Sequence, residues 1–252
     1  MESISPSATR TVPAWHGQIA WGNMLPILGA AIVLLIATWR FTDNLHESAF
    51  HPDESRWINR SAYLQELGDP LGAFWSDSYL IRGQPPMGSY ITGLGLWVQG
   101  QSLHQNSPWN FSFGNEGDVN WNVTHGNMPT PVVLLDARKT SIVIGLILCL
   151  TTYWIVTMLS NWIGGTVAGV FLAVHPLTIY LATIAVSDMS FTAIVALSVL
   201  AALYLAKRPQ WWLALVLGIL LGMGAALKLS PIFVAIGLAL VGVAILAYPI
   251  AN

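Results

Sequence analysis

The chain has 252 residues, of which 54% are hydrophobic and only 9% are charged, and its formal net charge is −2. A soluble globular domain carries about 25% charged residues, so this composition excludes a soluble fold and predicts an integral membrane protein. The slight negative charge offers no basic surface to a nucleic acid, and a nucleic-acid partner is therefore not expected.

The first membrane span is predicted within residues 24–41. Residues 1–23 are polar and contain serine and proline, which is typical of a weakly ordered tail. The apolar run that follows ends at Trp39-Arg40. A cleaved signal peptide is the alternative, but the long leader and the absence of a small-x-small cleavage site favour an uncleaved span.

Residues 42–139 form the one long segment without a full span. Its part from Glu54 to Leu67 mixes apolar and polar residues, as a helix lying on the membrane surface does. Pro85-Pro86 then interrupts the chain. The next run, Met87 to Val98, is apolar but short for a span, so we expect a re-entrant or interfacial helix. Residues 99–131 are rich in Asn, Gly, Ser and Pro and predict a loop.

Five further apolar runs predict a helical membrane bundle over residues 140–249. They are Ser141–Leu159, Ile163–Val174, Phe191–Ala206, Trp211–Leu227 and Ile232–Tyr248. The second is short, but the apolar residues after His175-Pro176 extend it to the length that a tilted span needs. The expected fold is therefore an all-α polytopic bundle of about six spans, with a long external loop that contains interfacial helices.

The charges of the short loops predict the orientation of this bundle. Lys207-Arg208 is a basic pair in a short loop and should be cytoplasmic. Alternating spans then place residues 1–23 in the cytoplasm as well, and residues 42–139 on the other side. Asp188 and Lys228 fall on that same non-cytoplasmic side. In a bacterium the membrane would be the cytoplasmic (inner) membrane.

An acidic pair, Asp53-Glu54, follows the first span closely. A carboxylate at the membrane surface is costly unless water, a partner or a substrate solvates it. Asp53 is therefore a candidate general base, with Glu54 orienting a partner. The alternative is that both acids are solvated loop charges that cap a helix starting near Ser55.

Further candidates follow from single charges near the ends of the apolar runs. Asp188, in IAVSDMSF, is either the N-cap of the next span or a second acidic site residue. Lys228 is either a lysine that snorkels to the interface or a phosphate contact. Arg82, Arg138 and Lys139 would add to an anion site or lie among lipid headgroups.

Taken in order, these features resemble a known family. They are the acidic pair Asp53-Glu54 after an apolar first span, Gln84-Pro85-Pro86 before an aromatic run, Arg138-Lys139 opening the second span, His175-Pro176 ending a short span, Asp188 heading the next span, and Lys228 closing the one after it. The ordered set resembles the N-terminal half of the GT-C fold glycosyltransferases of the protein O-mannosyltransferase and aminoarabinose transferase type, over about residues 20 to 245.

The resemblance implies an inverting transferase that uses a polyprenyl-phosphate or polyprenyl-diphosphate sugar, with the lipid phosphate as the leaving group. It implies that Asp53 is the catalytic carboxylate with Glu54 beside it, that Asp188 is the second acidic position, and that Lys228 lies near the donor phosphate. The expected partners are this donor, membrane lipids and other membrane subunits. No cofactor is identified, and a divalent cation is left open.

An alternative function starts from two departures from that family. The chain is about half the usual length, and the stretch 106–127, rich in Asn, Gly and Trp, has no counterpart in the family. The alternative is a non-catalytic structural subunit of a larger membrane complex, built on a shortened GT-C fold; the chain would otherwise be the N-terminal part of a longer protein. A transporter would show inverted-repeat symmetry, which the sequence lacks.

Overall fold

The computed structural model describes residues 24–43, 45–76, 85–105, 107, 110–113, 119–228 and 237. In these residues the chain forms α-helices and a short 3-10 helix, Ala73–Ser76, joined by turns and loops, without a β-strand. The helices are α1 (Met24–Thr42), α2 (Pro52–Asn59), α3 (Ala62–Glu66), α4 (Met87–Val98), α5 (Val119–Thr124), α6 (Pro131–Leu159), α7 (Trp162–Val174), α8 (Pro176–Ala182), α9 (Ser187–Lys207) and α10 (Trp211–Ala225).

Three of the described helices, α1, α6 and α9, are long and apolar enough to cross a membrane. Helices α7 and α8 pass the same test together, but the chain bends by 65° between them at His175. Helix α10 has 15 residues, so it is only about 22 Å long and shorter than the roughly 30 Å hydrocarbon core. For the described residues the all-helical membrane fold is confirmed. The count of six spans stays a prediction, because the run Ile232–Tyr248 lies outside the described residues.

Glycines let α1, α6 and α7 pack closely. A Cβ added at Gly169 of α7 would lie 2.7 Å from Cγ2 of Val33 in α1, and one added at Gly165 would lie 2.6 Å from the carbonyl oxygen of Tyr153 in α6. The Tyr153 hydroxyl in turn donates a hydrogen bond to the carbonyl of Pro26. The small-residue face at Gly164-Gly165-x-x-x-Gly169 is thus used for helix packing.

Helix α6 begins earlier than the apolar run predicted. Thr130 caps it, with its hydroxyl accepting from the amide of Val133, and Pro131 occupies the first turn, so the helix starts ten residues before Ser141. Its 29 residues span about 43 Å, well beyond the hydrocarbon core. The first turns of α6 therefore carry Arg138 and Lys139 above the apolar part of the helix.

The segment between α1 and α6 packs on the bundle. The predicted helix from Glu54 to Leu67 is two helices, α2 and α3, separated by a turn at Arg60-Ser61. Helix α4 has the bounds that the apolar run Met87–Val98 predicted. A Cβ at Gly93 would lie 2.8 Å from the Ser61 carbonyl oxygen, and one at Gly95 would collide with Thr140 of α6. Glycines thus seat α4 between α3 and α6.

The two ends of the bundle differ in what they carry. At one end Lys207 donates to the carbonyl of Met158, which joins the last turns of α9 and α6. At the other end the amide of Met87, at the start of α4, donates to the carbonyl of Ala226, just after α10. Helices α2, α6 and α9 also begin at this second end. We call it the α2 end, because the candidate site residues lie there.

Candidate active site

Glu54 of α2 and Arg138 of α6 form a buried, bidentate ion pair. Nε of Arg138 donates to Oε1 of Glu54, and Nη2 donates to Oε2, both at 2.8 Å. The Glu54 side chain is 0% exposed and the Arg138 side chain 5% exposed. The planar guanidinium matches a carboxylate in this geometry, and both charges are neutralised within the pair.

The remaining N–H groups of Arg138 bind the connection between α1 and α2. Nη1 donates to the carbonyls of Leu45 and Ser48, and Nη2 also donates to the carbonyl of Ala49. With the two bonds to Glu54, all five guanidinium N–H donors have an acceptor. Arg138 therefore has no donor left for a substrate phosphate.

Glu54 is equally saturated. Its Oε2 accepts from the amide of His51, which completes the capping box at the start of α2, and its Oε1 accepts from the amide of Ala185 just before α9, both at 2.9 Å. Each carboxylate oxygen thus accepts two hydrogen bonds. The interpretation of both acids as solvated loop charges is wrong for Glu54, and α2 begins at Pro52 rather than near Ser55.

Asp53 points away from this buried network. Its side chain is 46% exposed, and its Oδ2 lies 3.9 Å from Nδ1 of His51. That ring nitrogen accepts a hydrogen bond from the Asp53 amide and so caps α2. Because successive helical positions point about 100° apart, the burial of Glu54 turns its neighbour Asp53 outward. Asp53 is thus an accessible carboxylate on a rigidly held helix.

Arg56 is a candidate that the sequence interpretation missed. It lies three residues after Asp53 in α2, a spacing that puts both side chains on one side of the helix. Its guanidinium carbon lies 4.7 Å from the centre of the Phe113 ring. No ion pair with a carboxylate involves it among the described residues. The spacing of Asp53 and Arg56 was the signal available in the sequence.

Asp188 and Lys228 form a second, half-exposed ion pair at the α2 end. Nζ of Lys228 lies 2.5 Å from Oδ1 of Asp188. The Lys228 side chain is 40% exposed and the Asp188 side chain 45% exposed. Asp188 is not the N-cap of α9, because the helix begins at Ser187 with Val186 as its cap. The pair joins the first turn of α9 to the turn that follows α10.

Gly88, in the first turn of α4, lies where α2 and α9 meet. A Cβ added there would lie 2.5 Å from Cζ3 of Trp57 and 3.0 Å from Cβ of Ser187. Trp57 lies one helical turn after Asp53, and Ser187 directly precedes Asp188. The structure therefore brings the helix of Asp53 and the ion pair of Asp188 together around the start of α4, as the predicted orientation requires.

The other predicted cations have different surroundings. Nζ of Lys139 lies 2.7 Å from Oδ1 of Asp136 one turn earlier in α6, and Oδ2 of Asp136 accepts from Gln101. Arg82 lies outside the described residues. Within the described part of the chain, no three His, Cys, Asp or Glu side chains are grouped in a way that could hold a metal ion.

One comparison with known proteins gives a match. The family model for dolichyl-phosphate-mannose-protein mannosyltransferase matches residues 68–251, which is more than half of the chain. The matched region contains Arg138, Asp188 and Lys228 and begins after α2, which carries Asp53 and Glu54. No curated protein and no solved structure gives a significant match.

Proposed function

We propose that this chain, which belongs to the dolichyl-phosphate-mannose-protein mannosyltransferase family, transfers a sugar from a polyprenyl-phosphate donor to an acceptor hydroxyl at the membrane surface. The observation that carries this proposal is the accessible carboxylate of Asp53 at the same end of an apolar helical bundle as the half-exposed cation Lys228. An inverting displacement at a lipid phosphate needs one base and one cationic contact.

Asp53 is the base in this proposal. Its carboxylate takes the proton of the acceptor hydroxyl while the hydroxyl oxygen attacks the anomeric carbon from the face opposite the phosphate. The bond between the anomeric carbon and the phosphate oxygen breaks, so the configuration inverts and the lipid phosphate leaves as an anion. Because the Asp53 side chain is about half exposed, an acceptor hydroxyl can approach its carboxylate to within hydrogen-bond distance.

Lys228 stabilises the charge that develops on the leaving phosphate. A compact ammonium with three donors suits this contact, and its exposure lets a phosphate reach it while Asp188 still holds it. In this proposal Asp188 orients Lys228 instead of contacting the sugar. Arg56 supplies a second cation beside Asp53, and Lys139 and Arg82 stay candidate contacts for the phosphate or for lipid headgroups.

Glu54 and Arg138 are positioning residues in this proposal. Both have every hydrogen-bonding group engaged with protein, so neither is free to bind a substrate. Their network ties α2 to α6 and to the residues before α9. It therefore fixes the direction in which α2 presents Asp53 relative to Asp188.

The side of the membrane follows from the charge rule. The short connection with Lys207-Arg208 is predicted to be cytoplasmic, so the α2 end would face the non-cytoplasmic side. In this orientation Arg138 falls on the non-cytoplasmic side, where a free basic loop residue would count against the charge rule. Arg138 is instead buried in an ion pair, which supports the orientation. Sugar transfer would then take place at the outer face of the membrane.

The test is turnover of a polyprenyl-phosphate mannose by the purified full chain, with Asp53→Asn as the variant and Asp69→Asn as the control. Asp69 is an exposed acid in the loop after α3. We expect Asp53→Asn to lower turnover by about 10²–10⁴-fold, the usual contribution of a general base, with donor binding retained. The Asp69→Asn variant should keep wild-type turnover.

The other outcomes separate the alternatives. Equal turnover by Asp53→Asn and wild type would remove Asp53 as the base. Donor binding without turnover by the wild type would show that the reaction needs more chain or a partner subunit. Absence of donor binding would favour the non-catalytic structural subunit.

A further inference from the structure

Charge is distributed unevenly between the two ends of the bundle. The described acids lie in the segment between α1 and α6 or in the first turns of α6 and α9. They are Asp43, Glu47, Asp53, Glu54, Glu66, Asp69, Asp136 and Asp188. The opposite end carries Lys207, the last residue of α9, and Arg208 directly after it. Within the described residues no acid lies near this pair.

A groove of about 420 Å³ opens between α9 and α10 at this basic end. Apolar side chains line its length, among them Leu200, Leu213 and Val216. Tyr204, Arg208 and Trp212 lie at one end of the groove. The cavity is therefore amphipathic, with a long apolar part and one cationic end.

Arg208 is the cation available to a ligand there. Nζ of Lys207 is already bound to the carbonyl of Met158 at 3.1 Å, and the Trp212 indole N–H donates to Gln210. No carboxylate among the described residues pairs with Arg208. A planar guanidinium without an acidic partner is well suited to bind a phosphate diester through two hydrogen bonds.

We propose that this groove binds an anionic phospholipid, with an acyl chain along the apolar lining and the phosphodiester against Arg208. A small soluble anion would leave the apolar part of the groove unused, and a neutral lipid would leave the charge of Arg208 uncompensated. The charge rule predicts that this end faces the cytoplasm, where anionic lipids attract basic residues. The site lies at the end opposite Asp53 and is independent of the proposed transferase activity.

The test measures binding of phosphatidylglycerol and phosphatidylcholine with the same acyl chains to the full chain in detergent. Native mass spectrometry gives the affinity, and the thermal unfolding midpoint gives the stabilisation. We expect phosphatidylglycerol to bind more tightly and to raise the midpoint more. Arg208→Gln should lower the affinity for phosphatidylglycerol roughly fivefold, the usual effect of one basic residue at an anionic lipid surface.

Arg40→Gln is the matched control, because Arg40 is a partly exposed arginine near a helix end at the other side of the bundle. It should keep the preference for phosphatidylglycerol. A second variant, Leu200→Trp, fills the apolar part of the groove and should weaken both lipids while leaving the charge in place. Inorganic phosphate alone should not shift the unfolding midpoint.

Three results would overturn the proposal. Equal affinity for the two lipids would show that Arg208 does not distinguish an anionic headgroup from a zwitterionic one. An unchanged preference in Arg208→Gln would place the lipid elsewhere. A shift with inorganic phosphate as large as that with phosphatidylglycerol would show a simple anion site in which the groove has no part.

Discussion

Glu54 and Arg138 lie 84 positions apart in the sequence and are joined by two hydrogen bonds of 2.8 Å. Their contacts reach the connection after α1, the cap of α2 and the amide of Ala185 before α9. Buried ion pairs are stable only when the other lone pairs and protons of both groups are satisfied, and here each one is. The pair thus joins the surface segment to the membrane bundle.

The first prediction concerns this pair. Arg138→Ala should destabilise the protein by about 3–5 kcal/mol, because it leaves the Glu54 carboxylate buried without its counter-ion. Arg138→Lys should restore little of this stability, since one ammonium cannot replace five donors in a planar fork. The free energy of unfolding in detergent, followed by circular dichroism, measures the effect.

Lys139→Ala is the control for stability, because Lys139 is a half-exposed neighbour that pairs with Asp136 on the same helix. Exposed pairs contribute only about 0–1 kcal/mol. If Arg138→Ala and Lys139→Ala destabilise the protein equally, the network does not hold the surface segment in place.

Much of this arrangement could be predicted from local sequence. The apolar run Met87–Val98 predicted both ends of α4 correctly, and the alternation of the predicted spans placed Asp53, Asp188 and Lys228 at one end of the bundle. These features depend on hydropathy and on residue types within a few positions. They need no knowledge of long-range contacts.

The partners of the charged residues could not be predicted in the same way. Arg138 looked like an anion contact or a headgroup contact, because its acceptor is 84 positions away and single-residue patterns carry no information about such pairs. Hydropathy alone starts α6 at Ser141, because the polar residues before it predict a loop, although Thr130 and Pro131 are a favourable helix start. An acid just before an apolar run is typical of an N-cap, but α9 starts one residue before Asp188.

The second prediction concerns Lys228 and Asp188. Lys228→Met should raise the KM for the lipid-phosphate donor and lower kcat/KM by about tenfold or more, because it removes a charge-assisted contact with the phosphate. Asp188→Asn should have a smaller effect, since the amide oxygen still accepts from the lysine. Stability should change little in both variants, as both side chains are about half exposed.

Arg40→Met provides the comparison for this prediction. It removes another half-exposed ion pair at the same end of the bundle, between Arg40 and Asp43 at 3.5 Å. Steady-state kinetics with varied donor concentration should show wild-type KM for Arg40→Met. A kcat/KM for Lys228→Met that also equals the wild-type value would exclude a phosphate contact by Lys228.

The third prediction concerns Arg56. Arg56→Gln should lower turnover, whereas Arg56→Lys should retain part of it, because the proposed role depends on positive charge beside Asp53. The contact with the Phe113 ring contributes only about 0.5–1 kcal/mol at an exposed site, so the unfolding free energy should hardly change. Turnover and unfolding are measured on the same preparations.

Phe113→Leu separates charge from packing at this position. It removes the ring below the guanidinium and leaves Arg56 in place. Turnover near the wild-type value in Phe113→Leu, together with a loss in Arg56→Gln, is the expected result. The same loss in both variants would mean that Arg56 acts by holding the loop around Phe113.

The last prediction concerns the space around Gly88, where α2, α4 and α9 meet. Helix propensity alone would favour alanine over glycine in a helix by about 1 kcal/mol. At Gly88 we expect alanine to lower the stability instead, because its methyl group would collide with the ring of Trp57, a side chain that is itself buried. We expect Gly88→Ala to destabilise the protein by about 1–3 kcal/mol, as overpacking does.

Gly218→Ala gives the opposite expectation within the same chain. Gly218 lies inside α10, and among the described residues no atom beyond its own helix backbone and chain neighbours lies within 4 Å of a Cβ added there. Its substitution should leave stability unchanged or raise it.

Trp57→Phe should restore part of the stability lost in Gly88→Ala, because a smaller ring leaves room for the methyl group. A double-mutant cycle measures this coupling, and strictly additive effects of the two changes would show that the ring does not oppose the methyl group. Since Trp57 lies one turn from Asp53, turnover should fall with stability in Gly88→Ala and recover in the double variant.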